Sequence, residues 1–324
     1  MKTLFFIFIF LYSSLSAQQN LSFSRKIYDK TEHFLEKDSL PNRKKQYMLN
    51  GFTGGVYLGM AGYLGAVWYS PKDLGKFHFF EDSHEWLQLD KAGHMLGGYT
   101  STKWMIDAYT WTGMPRKKAI LLGGGVGMLA MSSIEVLDGF GKKWGASWTD
   151  VGANAIGVSL AMANQLLWNE YRIQRKYSYM PSVYTRHDSV AKYGNALGMN
   201  LPEWILKDYN GQVHWLSFRV HSFLPEGNFK HYYPRWLNVA VGYGGNGMIG
   251  RYCQTGDIIG VNCDPQSVID AREYRQYYLA FDIDVSNVKT KSKTLNSVLS
   301  MINMFRIPLP VLEMDRFGIR GAIR

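Results

Sequence analysis

The sequence predicts an α+β protein with two parts. The first is an N-terminal, glycine-rich four-helix bundle, and the second is a small antiparallel β region. Three observations carry this prediction. Long uncharged runs rich in Gly, Ala and Ser fill much of residues 47–175. After Arg175 the apolar pattern changes from helical spacing to strict alternation. A chain of 324 residues that is 46% apolar and 19% charged has the composition of a folded protein, which excludes disorder, collagen and coiled coil. Aromatic content of 15% is high, but a mean hydropathy of −0.19 is too polar for a chain made mostly of membrane helices. No internal repeat or low-complexity tract occurs.

Residues 1–17 read as a secretory signal peptide: Lys2, an apolar run from Leu4 to Leu11, then small residues up to Ala17. No cysteine lies near that cleavage site, so the expectation is export by cleavage without a lipid tail. Residues 18–46 form an amphipathic helical lead-in, with Phe23, Ile27 and Phe34 on one face and Pro41 ending it. From Tyr47 to Ser70 there is no charge, and Gly51, Gly55 and Gly59 recur at intervals of four, a stripe that another helix can approach closely. Further helices are expected from Asp90 to about Thr112, Arg116 to about Leu137, and Thr149 to Tyr171. The uncharged runs Ala119–Ile134 and Val151–Asn169, of 16 and 19 residues, are marginal lengths for crossing a hydrocarbon core. Lys103 and Asp107 suit an aqueous face, so the bundle sits in or against a membrane or stands in water.

In the C-terminal region, 176–324, Leu237, Val239, Val241 and Tyr243 alternate with Asn238, Ala240, Gly242 and Gly244. Leu279, Phe281, Ile283 and Val285 alternate with Tyr278, Ala280, Asp282 and Asp284. Both segments are strands with one apolar face. Val213–Phe223 and the two ends of Phe305–Arg324 are weaker strands, and Leu295, Val298, Leu299 and Ile302 mark an intervening helix. The small residues opposite the apolar face also suit a narrow barrel interior, but about five legible strands fall short of the eight of an outer-membrane barrel, which favours a small sheet or half-barrel.

The helical half concentrates Asp90, Lys91, His94, Glu135, Asp138, Ser147, Asp150 and Asn154 in apolar, glycine-rich surroundings. Asp90 and His94 stand i,i+4, Glu135 and Asp138 i,i+3, and Asp150 and Asn154 i,i+4, so each pair shares a helix face and the three faces can converge. Structural readings compete. Asp90 can cap its helix, and Ser147-Trp148-Thr149-Asp150 has the form of a capping box. His94 reads as a buried structural imidazole, as an acid–base group or as a metal ligand. One imidazole among carboxylates is a poor zinc signature, so no cofactor is expected, and a divalent metal stays the lesser alternative. Glu81, Asp82, His84 and Glu85 read as a solvated loop. Phosphate loops, nucleophile elbows and dinucleotide fingerprints are missing. The net charge of +10 is scattered, and in an exported chain it suits a membrane or an anionic envelope glycolipid, or an envelope protein partner, rather than nucleic acid. Export also favours a disulfide between Cys253 and Cys263, with free thiols as the competing reading.

Asp90-Lys91-Ala92-Gly93-His94, then Glu135-Val136-Leu137-Asp138, then Trp144 to Gly157 resembles the YfiM-type envelope lipoproteins, a domain family of unknown function, over about residues 86–170. The order His, Glu, Asp, Asn is distantly similar to VanZ-like membrane proteins. The resemblance implies an exported, envelope-associated helical domain, in the periplasm or at the outer membrane with the inner membrane as the alternative, and no particular reaction. The expected function is a structural or binding role at a membrane. The alternative is a hydrolase or transferase acting on a lipid or cell-wall group through the His/Glu/Asp cluster.

Overall fold

A computed structural model describes residues 21–67, 74–142, 144–185, 197–198, 200–248 and 273–324. The expected signal peptide and the Cys253–Cys263 pair lie outside these residues. The lead-in is helix α1 (Leu21–Phe34), and α2 (Arg43–Val67) follows it. The polar half of the helical region is α3 (Leu89–Trp111), α4 (Arg116–Asp138) and α5 (Trp148–Trp168).

Helices α3, α4 and α5 pack mutually, and glycine makes this possible. A Cβ on Gly157 would lie 2.1 Å from the Met95 carbonyl oxygen, one on Gly98 2.6 Å from the Asn154 carbonyl oxygen, and one on Gly123 2.7 Å from the Ile106 nitrogen. These are backbone atoms, so the helix axes approach to a distance that only hydrogen side chains allow. Leu89, Ile106, Ala119, Ile120 and Ala161 are buried between the helices and the sheet.

The four-helix bundle is therefore a three-helix layer with α2 beside it. The Asn50 side chain of α2 accepts from Tyr109 at 3.0 Å, and Leu49 packs with Tyr109, Met114 and Ala119. Beyond this start the helix runs on with Phe52 and Leu58 each 70% exposed. Around Gly51, Gly55 and Gly59 nothing among the described residues lies within 4 Å of where a Cβ would stand, so none of the described helices packs on the small-residue stripe read from the sequence.

The C-terminal part is a six-stranded antiparallel sheet in simple sequence order: β1 (Ile173–Tyr179), β2 (Gln212–Phe218), β3 (Leu237–Asn246), β4 (Tyr274–Ile283), β5 (Pro310–Asp315) and β6 (Gly318–Ile323). Short helices α6 (Leu201–Lys207), α7 (Val220–Phe223), α8 (Asn228–Tyr232) and α9 (Lys293–Ile302) connect the strands. One row across the sheet reads Lys176, Trp215, Gly242, Tyr278, Glu313 and Arg320. Residues 304–306 pair along the outer edge of β1, with the Tyr177 amide donating to Met304 and the Arg306 amide to Tyr177, both at 2.8 Å. Leu309 then pairs with Arg324 as an extension of the β5–β6 ladder, so this strap, which leads into β5, also covers the free edge of β1 and curls the sheet toward a half-barrel.

The alternation seen in the sequence is present, with a mixed inner face and an apolar outer one. The buried face carries Lys176, Ser217, Asn238, Gln276, Asp282 and Glu313 beside an apolar cluster of Val213, Trp215, Ala240, Tyr278, Ala280 and Val311, while Val241, Leu279, Phe281, Leu312 and Ile319 are exposed on the other face. Lys176 and Asp282 form a fully buried ion pair at 2.7 Å, and the Arg306 guanidinium lies 4.2 Å from the centre of the Trp215 ring. On the outer face, α3 lies against β1, β2 and the end of β3, with Arg175 reaching the Ala92 carbonyl oxygen at 3.0 Å and Leu89 beside Gly245.

Candidate functional site

Three helix ends meet at one pole of the helical layer. Asp90 stands in the first turn of α3, Asp150 in the first turn of α5, and Glu135 in the last turn of α4. Both aspartates sit at helix N-termini, where the partial positive charge of unpaired amides favours carboxylates. The capping reading of Ser147 holds, since its hydroxyl accepts from the Asp150 amide at 3.2 Å. The same hydroxyl donates to Asp82 at 2.6 Å, and Thr149 donates to the same Asp82 oxygen at 2.9 Å.

The approach to α3 is strained. Trp86, Leu87 and Gln88 have φ of 49°, 52° and 62°, a left-handed turn without glycine that costs about 1–2 kcal/mol per residue. Tertiary contacts hold it. The Leu87 carbonyl oxygen accepts from Tyr243 and Arg275, Gln88 donates to the Ser83 carbonyl oxygen at 2.9 Å, and the Trp86 ring lies 5.0 Å from that of Tyr209. The turn delivers Asp90 and Lys91 to the site.

His94 is the hub. Its Nδ1 lies 3.2 Å from Asn154 Oδ1 and 3.2 Å from Glu135 Oε1. Its Nε2 lies 3.8 Å from both Asp90 Oδ1 and Asp150 Oδ2. Lys91 Nζ sits 2.7 Å from Asp82, 3.2 Å from Asp90 Oδ2 and 3.1 Å from Asp150 Oδ1. The Tyr209 hydroxyl donates to Asp90 Oδ1 at 3.0 Å. Glu135 Oε1 and Asp150 Oδ1 stand close to these cations yet make no hydrogen bond of good geometry, and Asn154 Nδ2 has no acceptor.

Burial pushes the Glu135 carboxyl up to about 7 despite the pull of His94, and burial likewise pushes Asp150 up to about 7. For His94 burial favours the neutral ring, but the carboxylates of Asp90, Asp150 and Glu135 outweigh it and raise its pKa. Burial also opposes charge on Lys91 and Asp82, yet the pairing carboxylates raise Lys91, while the Lys91 and Ser147 donors lower Asp82. The result is a centre that holds or releases protons near neutrality and that carries more carboxylates than fixed cations.

Seven of the eight residues singled out in the sequence converge here. Asp138, one turn past Glu135, acts on it through charge. Two participants were not legible as such. Asp82, read as part of a solvated loop, is half-buried and bonded to Lys91, Ser147 and Thr149. Tyr209 arrives from the far half of the chain, and nothing in its local sequence marks it. A separate cleft of about 240 Å³, lined by Lys103, Asp107, Tyr171 and Arg219 among others, lies elsewhere along α3. Its charges pair within it, Lys103 with Asp107 at 2.8 Å.

No curated protein and no solved structure matches the chain. Residues 78–166, which contain the centre apart from Tyr209, match a family described as predicted periplasmic lipoprotein (DUF2279), a domain of unknown function whose description supports an exported, envelope-associated location.

Proposed function

We propose that this protein is an envelope protein that seats on an anionic lipid bilayer through the exposed apolar sides of α2 and α4 and the uncovered outer face of the sheet. The observation that carries the reading is the outer face of the sheet. It is apolar and open, with Phe281 63% and Ile319 71% exposed, while the charged and polar groups lie on the inner face beside a small apolar cluster, the arrangement of strands whose outer solvent is lipid. Helix α4 is also long and apolar enough to cross a bilayer.

Charge supports the same reading. Arg43, Lys44 and Lys45 open α2, and Arg116, Lys117 and Lys118 open α4. Asn42 donates to Thr112 at 2.9 Å, just before α4 begins, so the two basic triplets lie at the same end, opposite the polar centre. Each lysine or arginine near an anionic surface contributes about 1 kcal/mol. The motifs at 90–94, 135–138 and 144–157 that resemble YfiM-type lipoproteins all lie within the matched span, in keeping with an envelope setting.

The test is flotation with vesicles. The protein is expected to rise with vesicles containing phosphatidylglycerol and to rise less with pure phosphatidylcholine. Phe52→Glu with Leu58→Glu should abolish flotation while leaving the circular dichroism spectrum unchanged, and Lys117→Glu with Lys118→Glu should weaken it most at low salt. Protein that stays at the bottom with both vesicle types while folded refutes the proposal. A stable dimer that Phe52→Glu dissociates, without vesicle binding, would instead assign the apolar surface to a second copy.

A further inference from the structure

We infer that Asp90, His94 and Asp150 form a binding site for one divalent transition-metal ion. One ligand atom from each lies within 4.8 Å of the other two, and His94 Nε2 stands 3.8 Å from both carboxylate oxygens. In a tetrahedral zinc site with bonds of about 2.0–2.2 Å, ligand atoms lie about 3.4 Å apart, so closing on an ion needs His94 to move about 0.4 Å toward each carboxylate and the two carboxylates to approach each other by up to about 1.4 Å. The inference stands apart from the bilayer reading, because the site lies at the helix ends remote from the basic triplets.

The chemistry around the ring fits a ligand set. Both groups near Nδ1, Asn154 Oδ1 and Glu135 Oε1, are acceptors, so Nδ1 carries the proton and Nε2 is left facing two carboxylates. A metal-bound imidazole is usually held in this way, its second nitrogen donating to a carboxylate or carbonyl oxygen. Lys91 does not block the position. It lies against Asp90 Oδ2 and Asp150 Oδ1, the oxygens turned away from His94, and Asp82 anchors it there. Tyr209 donates to Asp90 Oδ1 and orients it.

The support behind the ring is built. Glu135, only 4% exposed, accepts from the Ser147 amide at 3.3 Å through Oε2 and sets Oε1 3.2 Å from Nδ1, which holds the ring with Nε2 toward Asp90 and Asp150. Asp150 is itself only 5% exposed, so its carboxylate is shielded from competing water. Donors of one imidazole nitrogen and two carboxylate oxygens suit zinc or manganese rather than a soft thiolate-seeking ion, and they leave a coordination position for water.

The experiment uses the full chain, stripped with chelator and titrated with zinc alone against a chromophoric competitor, with metal content read after gel filtration. About one zinc per chain is expected. Asp150→Asn and His94→Gln should each weaken binding at least tenfold, and Glu135→Gln, which touches the imidazole and the Ser147 amide but neither carboxylate ligand, about 10- to 100-fold. Asp107→Asn, in the Lys103 pair, should bind as the parent does. Should His94→Gln fail to fold, cobalt substitution decides: the parent should show visible ligand-field absorption that Asp150→Asn loses. Absence of stoichiometric uptake by the parent, or equal affinity in Asp150→Asn, overturns the inference.

Discussion

Removing the Lys176 ammonium from the interior of the half-barrel should be among the most damaging single changes in the molecule. Lys176 and Asp282 are both fully buried at 2.7 Å. Lys176 also donates to the Ile283 carbonyl oxygen at 2.9 Å and to Asn303 at 3.1 Å, while Asp282 Oδ2 accepts from Ser217 at 2.6 Å and its Oδ1 has no hydrogen bond. In Lys176→Met the carboxylate keeps one hydroxyl donor and loses its counter-charge, which costs about 3–5 kcal/mol. Asp282→Leu leaves an ammonium with two neutral acceptors and should cost about 3 kcal/mol, the lower end of that range. The double variant Lys176→Met/Asp282→Leu exchanges the pair for apolar groups and orphans only neutral partners, so its cost should be about 1–2 kcal/mol. The two changes therefore couple by about 4–7 kcal/mol, beyond the roughly 0.5–3 kcal/mol usual for touching residues. Urea unfolding followed by near-ultraviolet circular dichroism measures all four corners of the cycle. Singles that each cost under about 1 kcal/mol and simply add would show that the interior is hydrated rather than dry.

Further outcomes follow from the same reasoning. Gly157→Ala drives a methyl into the Met95 carbonyl oxygen and should cost at least about 1–3 kcal/mol, whereas Gly55→Ala, with open space around it, should stabilise by up to about 1 kcal/mol; differential scanning calorimetry separates the two. In chelator-treated protein, Glu135 and Asp150 keep protons when folded up to about 7 that the unfolded chain releases near 4.5 and 3.8. Their contribution to stability is therefore largest in acid and falls as pH rises through that window. The raised pKa of His94 acts in the same direction above 6.5. Between pH 5 and 8 the parent should lose on the order of 3 kcal/mol, and Glu135→Gln should flatten that slope in urea titrations; a parent that gains stability over this range contradicts the assignment. Finally, His94→Ala and Glu135→Ala together should cost less than the sum of the singles, by about 0.5–3 kcal/mol in thermal unfolding.

The helices were legible because α3, α4 and α5 have apolar runs bounded by Asp90, Pro115 and the Ser147 cap. Strands β3 and β4 were legible from alternation alone. Strand β1 was not: Ile173-Gln174-Arg175-Lys176-Tyr177-Ser178-Tyr179 reads as surface, and its five consecutive buried residues are explained only by a polar interior under Lys176 together with cover on the other face, where Arg175 meets α3 and Tyr177 meets Phe305. Alternation gives the two faces of a strand without saying which faces inward, since that depends on whether the outer solvent is water, lipid or a helix. The glycine stripes carry the same lesson. Gly51, Gly55 and Gly59 have the spacing of Gly123 and Gly127, yet only the latter meet a neighbour, because small residues permit close approach without supplying a partner. Within the centre, i,i+4 and i,i+3 spacing located Asp90, His94, Glu135, Asp150 and Asn154, whereas Asp82 and Tyr209 join through contacts that no local spacing encodes.

The strap also sets an order of assembly. Helices α3 to α5 meet through neighbours in sequence and can pack while later segments are still emerging from the translocation machinery, but β1 has its second edge covered only by residues 304–306, more than a hundred positions downstream. Until they arrive, β1 offers a row of unpaired backbone groups beside a charged interior, a surface open to wrong pairing. Closure of that edge, rather than formation of the helices, is therefore the step that completes the sheet.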